Sequence, residues 1–107
     1  MAAKVAVDLE TGVVKIEGEV HWDDQQVFQD AVNKMLGSSA AKITLDFSEA
    51  TFVFSSVIAT ILAGAARAES AGKKLHIRVS QNLDWLKRYL AQNTKGRDFP
   101  NVVIEDA

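Results

Sequence analysis

The sequence predicts a single α/β domain with a mixed β-sheet, an N-terminal β-hairpin and helices packed mainly on one face. Short segments of alternating apolar residues are typical of strands, and longer segments with apolar residues every three or four positions are typical of helices. After the first two strands the two patterns alternate, which implies parallel pairing through right-handed helical crossovers. The length of 107 residues fits one domain, which we place at residues 1–107.

The chain starts with two strand patterns joined by a tight turn. Val5, Val7 and Leu9 alternate with other residues, and residues 14–20 continue as a second strand. Gly12 closes the intervening turn at a position where a positive φ is expected. These features predict a β-hairpin.

Helical spacing begins after Trp22. Asp23 is the predicted N-cap, and Gln26 stands at the capping-box position. Trp22 and Val27 have the spacing of a hydrophobic staple across that cap. Gly37 is expected to end the helix. The predicted apolar face consists of Val27, Phe28, Ala31, Val32, Met35 and Leu36.

The rest of the chain continues as strand, helix, strand, helix and strand. These elements are expected near residues 43–47, 55–71, 75–79, 83–90 and 102–104. Gly72 ends the second helix, and Ser80 or Asn82 is expected to cap the third.

Composition excludes several classes of function. The chain has no cysteine, so disulfides, thiolate metal sites and cysteine nucleophiles are ruled out. The net charge is −2, and the basic cluster Lys87, Arg88, Lys95 and Arg97 is interpreted as a solvated surface, so no nucleic-acid binding is expected. No signal-peptide pattern or membrane-spanning run is present, which predicts a cytoplasmic protein without membrane insertion.

An enzymatic function is not expected. Ser55, His21 or His76, and Asp46 supply the residue types of a catalytic triad, but the Gly-x-Ser-x-Gly motif is absent. Two histidines among scattered carboxylates show no metal-ligand spacing, and no glycine-rich phosphate loop is present. We therefore predict no catalytic site, metal or cofactor.

Residues 45–59, Leu-Asp-Phe-Ser-Glu-Ala-Thr-Phe-Val-Phe-Ser-Ser-Val-Ile-Ala, resemble the motif of the STAS domain family, in its bacterial anti-sigma factor antagonist type. In that family a strand ending in Leu-Asp-Leu-Ser leads through a loop to Asp-Ser-Ser-Gly-Leu at a helix start. The order of elements is similar over nearly the whole chain. Residues 18–20, Gly-Glu-Val, and 72–75, Gly-Lys-Lys-Leu, match as well.

This resemblance implies a protein-binding regulator rather than a catalyst. Typical members bind an anti-sigma factor, often a serine kinase that phosphorylates the first serine of the motif, which is Ser55 by position. The sequence departs from the pattern at Phe54, where relatives have aspartate, and at Val57, where they have glycine. His21 also replaces a residue that tends to be acidic. An alternative is a STAS subunit of a transport or signalling assembly without phosphorylation.

Several residues have two interpretations. Ser55 is either a helix cap or a phosphate acceptor, whereas Ser56 is expected to be a cap. Phe54 is either a core residue, the commoner fate of phenylalanine, or an exposed anchor. The predicted partner-binding surface consists of Glu19, His21, Trp22, Phe54, Ser55, Ser56, Ala59 and Ala63.

The helix that starts near Ser55 has an unusual exposed face. No charged residue occurs before Arg67, although exposed helix faces usually carry charges. Small residues such as Ala59 and Ala63 permit close approach of another backbone, which indicates a partner surface or a homodimer contact. Alanine is also simply a good helix former, and this alternative stays open.

Overall fold

The computed structural model describes residues 3–95 and 101–106. The strands are β1 (Lys4–Asp8), β2 (Val13–Val20), β3 (Lys42–Val53), β4 (Lys74–Val79) and β5 (Val102–Asp106). The helices are α1 (Gln25–Leu36), α2 (Ser56–Ser70) and α3 (Asp84–Lys95). The strands form one sheet in the order β1-β2-β3-β4-β5, in which β1 pairs with β2 antiparallel and the other neighbours pair in parallel. The predicted mixed sheet with an N-terminal hairpin is confirmed.

One face of the sheet carries the core, and the other is open. Alternate residues of the central strands are almost completely buried beneath the helices: Val14, Ile16, Ile43, Leu45, Leu75 and Ile77. The residues between them point away and include Lys15, Asp46 and Arg78, which are paired across neighbouring strands. This division explains the alternation in the sequence and confirms that the helices cover one face.

The hairpin turn depends on Gly12. Its φ is +73°, and its N–H donates to the carbonyl of Asp8 at 3.0 Å. Its own carbonyl accepts from the N–H of Thr44 at 2.8 Å, which connects the turn to the start of β3. A Cβ at this position would overlap the carbonyl oxygen of Lys42. The turn therefore needs glycine for two separate reasons, the backbone conformation and the close approach of β3.

The start of α1 differs from the prediction. A 3₁₀ turn, Trp22–Asp24, precedes the helix, and the N–H of His21 donates to Oδ2 of Asp24 at 2.9 Å. Asp23 is therefore not the N-cap. Trp22 and Val27 are 69% and 54% exposed, so the predicted staple and the core position of Val27 are wrong. Asp24, rather than Asp23, accepts the hydrogen bond at the start of this turn, and Trp22 and Val27 lie outside the core.

Strand β3 is longer than predicted, because it continues through the expected loop to Val53. Its pairing with β2 shifts register twice, between Lys15 and Glu17 and between Gly18 and Glu19. At each shift β3 contains one more residue than β2, which is the arrangement of a β-bulge. The apolar residues of this segment therefore stop alternating with period two, which is why the sequence pattern ended at Phe47.

Helix α2 packs on the sheet through a buried side that includes Val57, Ile58, Ile61 and Ala65. It ends where predicted, at Gly72, which has φ +72° and is followed by a bond from the N–H of Lys73 to the carbonyl of Ala68 at 2.8 Å. Ser80 precedes the 3₁₀ turn that leads into α3, but its hydroxyl makes no capping hydrogen bond. No helix in the described part of the chain is long and apolar enough to cross a membrane.

Candidate functional site

The candidate surface begins at the carboxyl ends of β2 and β3. The N–H of Phe54 donates to the carbonyl of Val20 at 2.8 Å, which continues the pairing of the two strands by one residue. The segments that follow, starting at His21 and at Ser55, therefore leave the sheet at the same edge. Ligand sites of open parallel sheets commonly lie at this edge.

Three large aromatic side chains at this edge are exposed: Trp22 by 69%, Phe52 by 41% and Phe54 by 37%. We call them the aromatic cluster. The predicted burial of Phe54 is wrong, because the buried positions at the end of β3 are taken by Ala50 and Val53. Aromatic residues are enriched in protein interfaces, so exposed aromatic side chains at one end of a sheet indicate a contact surface.

His21 is held in place beside this cluster. Its ring lies 5.1 Å from the ring of Phe52, centroid to centroid, and its Nε2 is 3.5 Å from Oε1 of Glu19. Its backbone N–H is bound by Asp24, which is buried. The edge thus offers an aromatic surface with one imidazole and one carboxylate adjacent to it.

Ser55 is exposed and immediately precedes the first residue of α2. It occupies the N-cap position of α2, as the cap interpretation predicts, but its hydroxyl makes no capping hydrogen bond. Its backbone carbonyl still accepts the N–H of Ile58 at 3.1 Å. The side chain is therefore accessible while the backbone is fixed by the helix.

The expected cap at Ser56 is wrong. Its Oγ donates to Oε1 of Gln25, the first residue of α1, at 2.9 Å. This bond joins the starts of the two helices. Sequence reasoning could not identify it, since the partner lies 31 residues earlier in the chain.

A groove runs between α1 and α2 from this junction. Its volume is about 190 Å³. Its lining residues are Gln25, Gln29, Val32 and Asn33 from α1, and Ala59, Thr60, Ala63, Gly64 and Arg67 from α2. Gln25 and Gln29 also line a more open depression beside Trp22, of about 350 Å³, so the groove is continuous with the surface around Trp22.

The predicted partner-binding residues are placed on this surface in two groups. Glu19, His21, Trp22, Phe54 and Ser55 lie at the sheet edge. Ala59 and Ala63 line the groove, and Ser56 lies at the junction between the two groups. The α1 wall and Arg67 were not predicted. Gln25, Gln29 and Asn33 are polar and four positions apart, a pattern that in the sequence indicates a solvent-exposed helix face. Only the position of the neighbouring helix shows that they line a groove.

The hydrogen bonds of a catalytic triad are not formed in the described part of the chain. Among the described residues, no hydrogen bond joins Ser55 to either histidine, and His76 lies on the open face with Nδ1 3.4 Å from Oε1 of Glu105. Asp46 is engaged by the N–H of Ser48 at 2.9 Å. Within the same part of the chain, no group of three or more histidine, aspartate or glutamate side chains could hold a metal ion.

Asp46 is held on the open face by hydrogen bonds and nearby positive charges. Burial raises the pKa of its carboxyl group, but the hydrogen bonds from Ser48 and the charges of Arg78 and Lys15 together lower that pKa below its ordinary value. Arg78 Nη1 is 3.7 Å from Asp46 Oδ2. These contacts explain why Asp46 is kept charged in the folded protein.

Two basic residues of the C-terminal cluster are neutralised by nearby carboxylates. Lys87 pairs with Asp106 at 2.5 Å and Arg88 with Asp84 at 3.0 Å. Arg97 and the side chain of Lys95 lie outside the described residues.

Comparisons with known proteins agree with this architecture. The family described as "Mlab, STAS domain" matches residues 3–92. No match was found among curated proteins. Similar solved structures include apo-SiaC from Pseudomonas aeruginosa, with a TM-score of 0.69, 17% identity and coverage of 96% of this chain and 89% of that chain. A chain from the crystal structure of the diguanylate cyclase SiaD with its activator SiaC, from the same organism, gives a TM-score of 0.68, 14% identity and coverage of 99% and 93%. The matched residues span the hairpin, the site edge, α1, α2 and most of α3, and the chain belongs to the STAS domain family.

Proposed function

We propose that this chain is a regulatory protein-binding module of the anti-sigma factor antagonist type, acting in a cytoplasmic partner-switching pathway, and that it is not an enzyme. The observation that carries the proposal is the position of Ser55. It is exposed at the start of α2, its hydroxyl caps nothing, and the exposed aromatic cluster lies at the same sheet edge.

The geometry suits a switch based on charge. A phosphate on Ser55 would add roughly two negative charges at the start of a helix, where it is well tolerated in the free protein. In a complex the same group would lie against an aromatic contact surface, where its desolvation is unfavourable. Glu19 at the same edge would add repulsion. Modification would therefore weaken a complex without unfolding the domain.

The two departures from the family motif, Phe54 and Val57, differ in their effect on recognition by a kinase. Phe54 is partly exposed, so a kinase would meet an aromatic ring where relatives present a carboxylate. Val57 has no exposed surface, so its side chain is part of the core and cannot contact a kinase directly. Phe54 is therefore the residue that alters recognition, and Phe54→Asp is the informative change.

A second candidate function is an unphosphorylated subunit of a transport or signalling assembly. The replacement of the motif aspartate by Phe54 favours it, because an exposed phenylalanine strengthens a permanent apolar contact. The similar chain SiaC is described as the activator of a diguanylate cyclase and was crystallised with that enzyme. The same surface would then bind continuously.

Copurification from the native host tests the two functions. The tagged chain is compared with Ser55→Ala, Ser55→Asp and the control Ser39→Asp, which adds the same charge at an exposed position in the α1–β3 loop. We expect an ATP-binding, kinase-like partner that is retained by Ser55→Ala and Ser39→Asp and lost by Ser55→Asp. A transporter ATPase or sensor assembly would support the second function, and undiminished binding by Ser55→Asp would remove the switch.

Phosphorylation is measured separately with the purified partner and labelled ATP, followed by peptide mapping. Label is expected on Ser55, and Phe54→Asp should accept it faster than the wild type. Label on another residue would contradict the assignment. Analytical ultracentrifugation of the same samples determines whether the partner is instead a second copy of this chain.

A further inference from the structure

The groove between α1 and α2 has a regular construction. The two helices run side by side in the same direction, because Ser56 contacts Gln25 near their starts and Arg67 contacts Asn33 near their ends. They approach closely between these points, where a Cβ on Gly64 would lie 3.2 Å from Val32 Cγ1. The groove therefore has a shallow floor and two parallel walls.

The walls repeat with the spacing of helical turns. The α1 wall consists of Gln25, Gln29 and Asn33, and the α2 wall consists of Ala59, Ala63 and Arg67. Residues four apart form a ridge along a helix, and the groove beside such a ridge accepts the ridge of another helix. From Ala59 to Arg67 the groove is about 12 Å long, or roughly two helical turns.

An extended peptide fits this groove less well than a helix. On the α2 side only Thr60 and Arg67 carry a side-chain donor or acceptor, so most of one edge of an extended backbone would be left without hydrogen bonds. A helix satisfies its own backbone groups internally and needs only a close apolar approach, which alanine side chains permit. The side chains of Gln29 and Asn33 could bind polar groups at the margin.

Charge defines the chemistry of the occupant. Arg67 is the one charged residue that lines the groove, and it forms no salt bridge within the described part of the chain. Its guanidinium donates to the amide oxygen of Asn33, a neutral group. An aspartate or glutamate at one end of the bound helix would supply the opposite charge, whereas a lysine would be repelled.

We propose that this groove binds an α-helix of a protein partner, with an apolar face against Ala59 and Ala63 and an acidic side chain on Arg67. The inference rests on the proposed protein-binding function and deepens it, because it names the recognised element.

The probe is a displayed library of helices on a fixed helical scaffold, with the exposed positions of one helix randomised. It is selected separately against the wild type and against Arg67→Glu. We expect wild-type binders to have an apolar stripe and an acidic residue at one end, and Arg67→Glu binders to have lysine or arginine at that end. Arg67→Glu should weaken wild-type binders at least tenfold.

Lys34→Glu is the matched control, since it makes the same charge change on an exposed α1 residue that does not line the groove. It should change affinity less than twofold. Ala63→Arg should abolish binding of the selected helices.

Absence of binders, selection of extended or proline-rich sequences, or binders that are indifferent to Arg67→Glu would overturn the inference. Its failure is distinguishable from failure of the proposed function. Loss of the native partner by Ser55→Asp alone, with Arg67→Glu harmless, keeps the function and places the contact at the sheet edge.

Discussion

Replacement of Gly12 by alanine should destabilise the domain through two effects that can be measured separately. The φ of +73° costs a residue with a Cβ roughly 1–2 kcal/mol. The new methyl group would also overlap the carbonyl oxygen of Lys42, and forced overpacking typically costs about 1–3 kcal/mol. The backbone there is held by the bond from Thr44, so it cannot move away easily. We expect a total loss of about 3.5 kcal/mol.

Gly72→Ala is the matched control. Gly72 has a nearly identical φ of +72°, but a Cβ there would meet nothing within 4 Å. It should therefore cost only the conformational part, roughly 1–2 kcal/mol. The difference of about 2 kcal/mol corresponds to roughly 8–16 °C in melting temperature for a domain of this size.

The assay is urea denaturation followed by far-UV circular dichroism. Tryptophan fluorescence is a poorer probe, because Trp22 and Trp85 are already 69% and 41% exposed in the folded protein. If Gly12→Ala and Gly72→Ala lowered the free energy of unfolding equally, the reasoning would be refuted. The close approach of the Lys42 carbonyl would then make no contribution to the destabilisation.

Three further predictions concern the surface and the open face. Ala63→Arg should change the free energy of unfolding by less than about 0.5 kcal/mol, because Ala63 is exposed and arginine is a good helix former, yet it should weaken copurification of the partner. A large fall in melting temperature would instead assign Ala63 to the core. Asp46→Asn should lower stability at neutral pH, because the lowered pKa of Asp46 means that its charged form stabilises the fold. The stabilisation by the charged Asp46 carboxylate is complete above the unfolded-state pKa and is lost as pH falls through the folded-state pKa. The denaturation curves of the wild type and Asp46→Asn should therefore converge in strong acid. Trp22→Ala should leave stability nearly unchanged and weaken partner binding, and unchanged binding in a titration with the purified partner would exclude Trp22 from the interface.

Periodicity in the sequence predicted the order of the elements because most of them have one buried side. Ile43, Leu45 and Phe47 alternate as a strand with one covered face should. The second half of β3 escaped detection because its two bulges change the spacing of its buried residues to three. A bulge is set by pairing with the neighbouring strand, and a single strand's sequence does not contain that information.

The site was predicted in part for a similar reason. The family motif identified Ser55, and the uncharged start of α2 identified Ala59 and Ala63. The opposite wall of the groove is formed by α1. From the sequence alone, the glutamines of α1 look like ordinary solvent-exposed residues. Local rules also failed where tertiary contacts compete with them, as when Ser56 binds Gln25 instead of capping its own helix.

The uncovered face of the sheet has a practical consequence for biosensing. Lys15, Asp46 and Arg78 pair there across strands, on the side opposite the helices. Ala6 pairs with Lys15 on the same face and is exposed. Because the chain contains no cysteine, Ala6→Cys would provide a single reactive thiol. A dye or a chip surface attached through it would leave the groove between α1 and α2 oriented toward solution, so the immobilised domain could report the arrival and release of its partner.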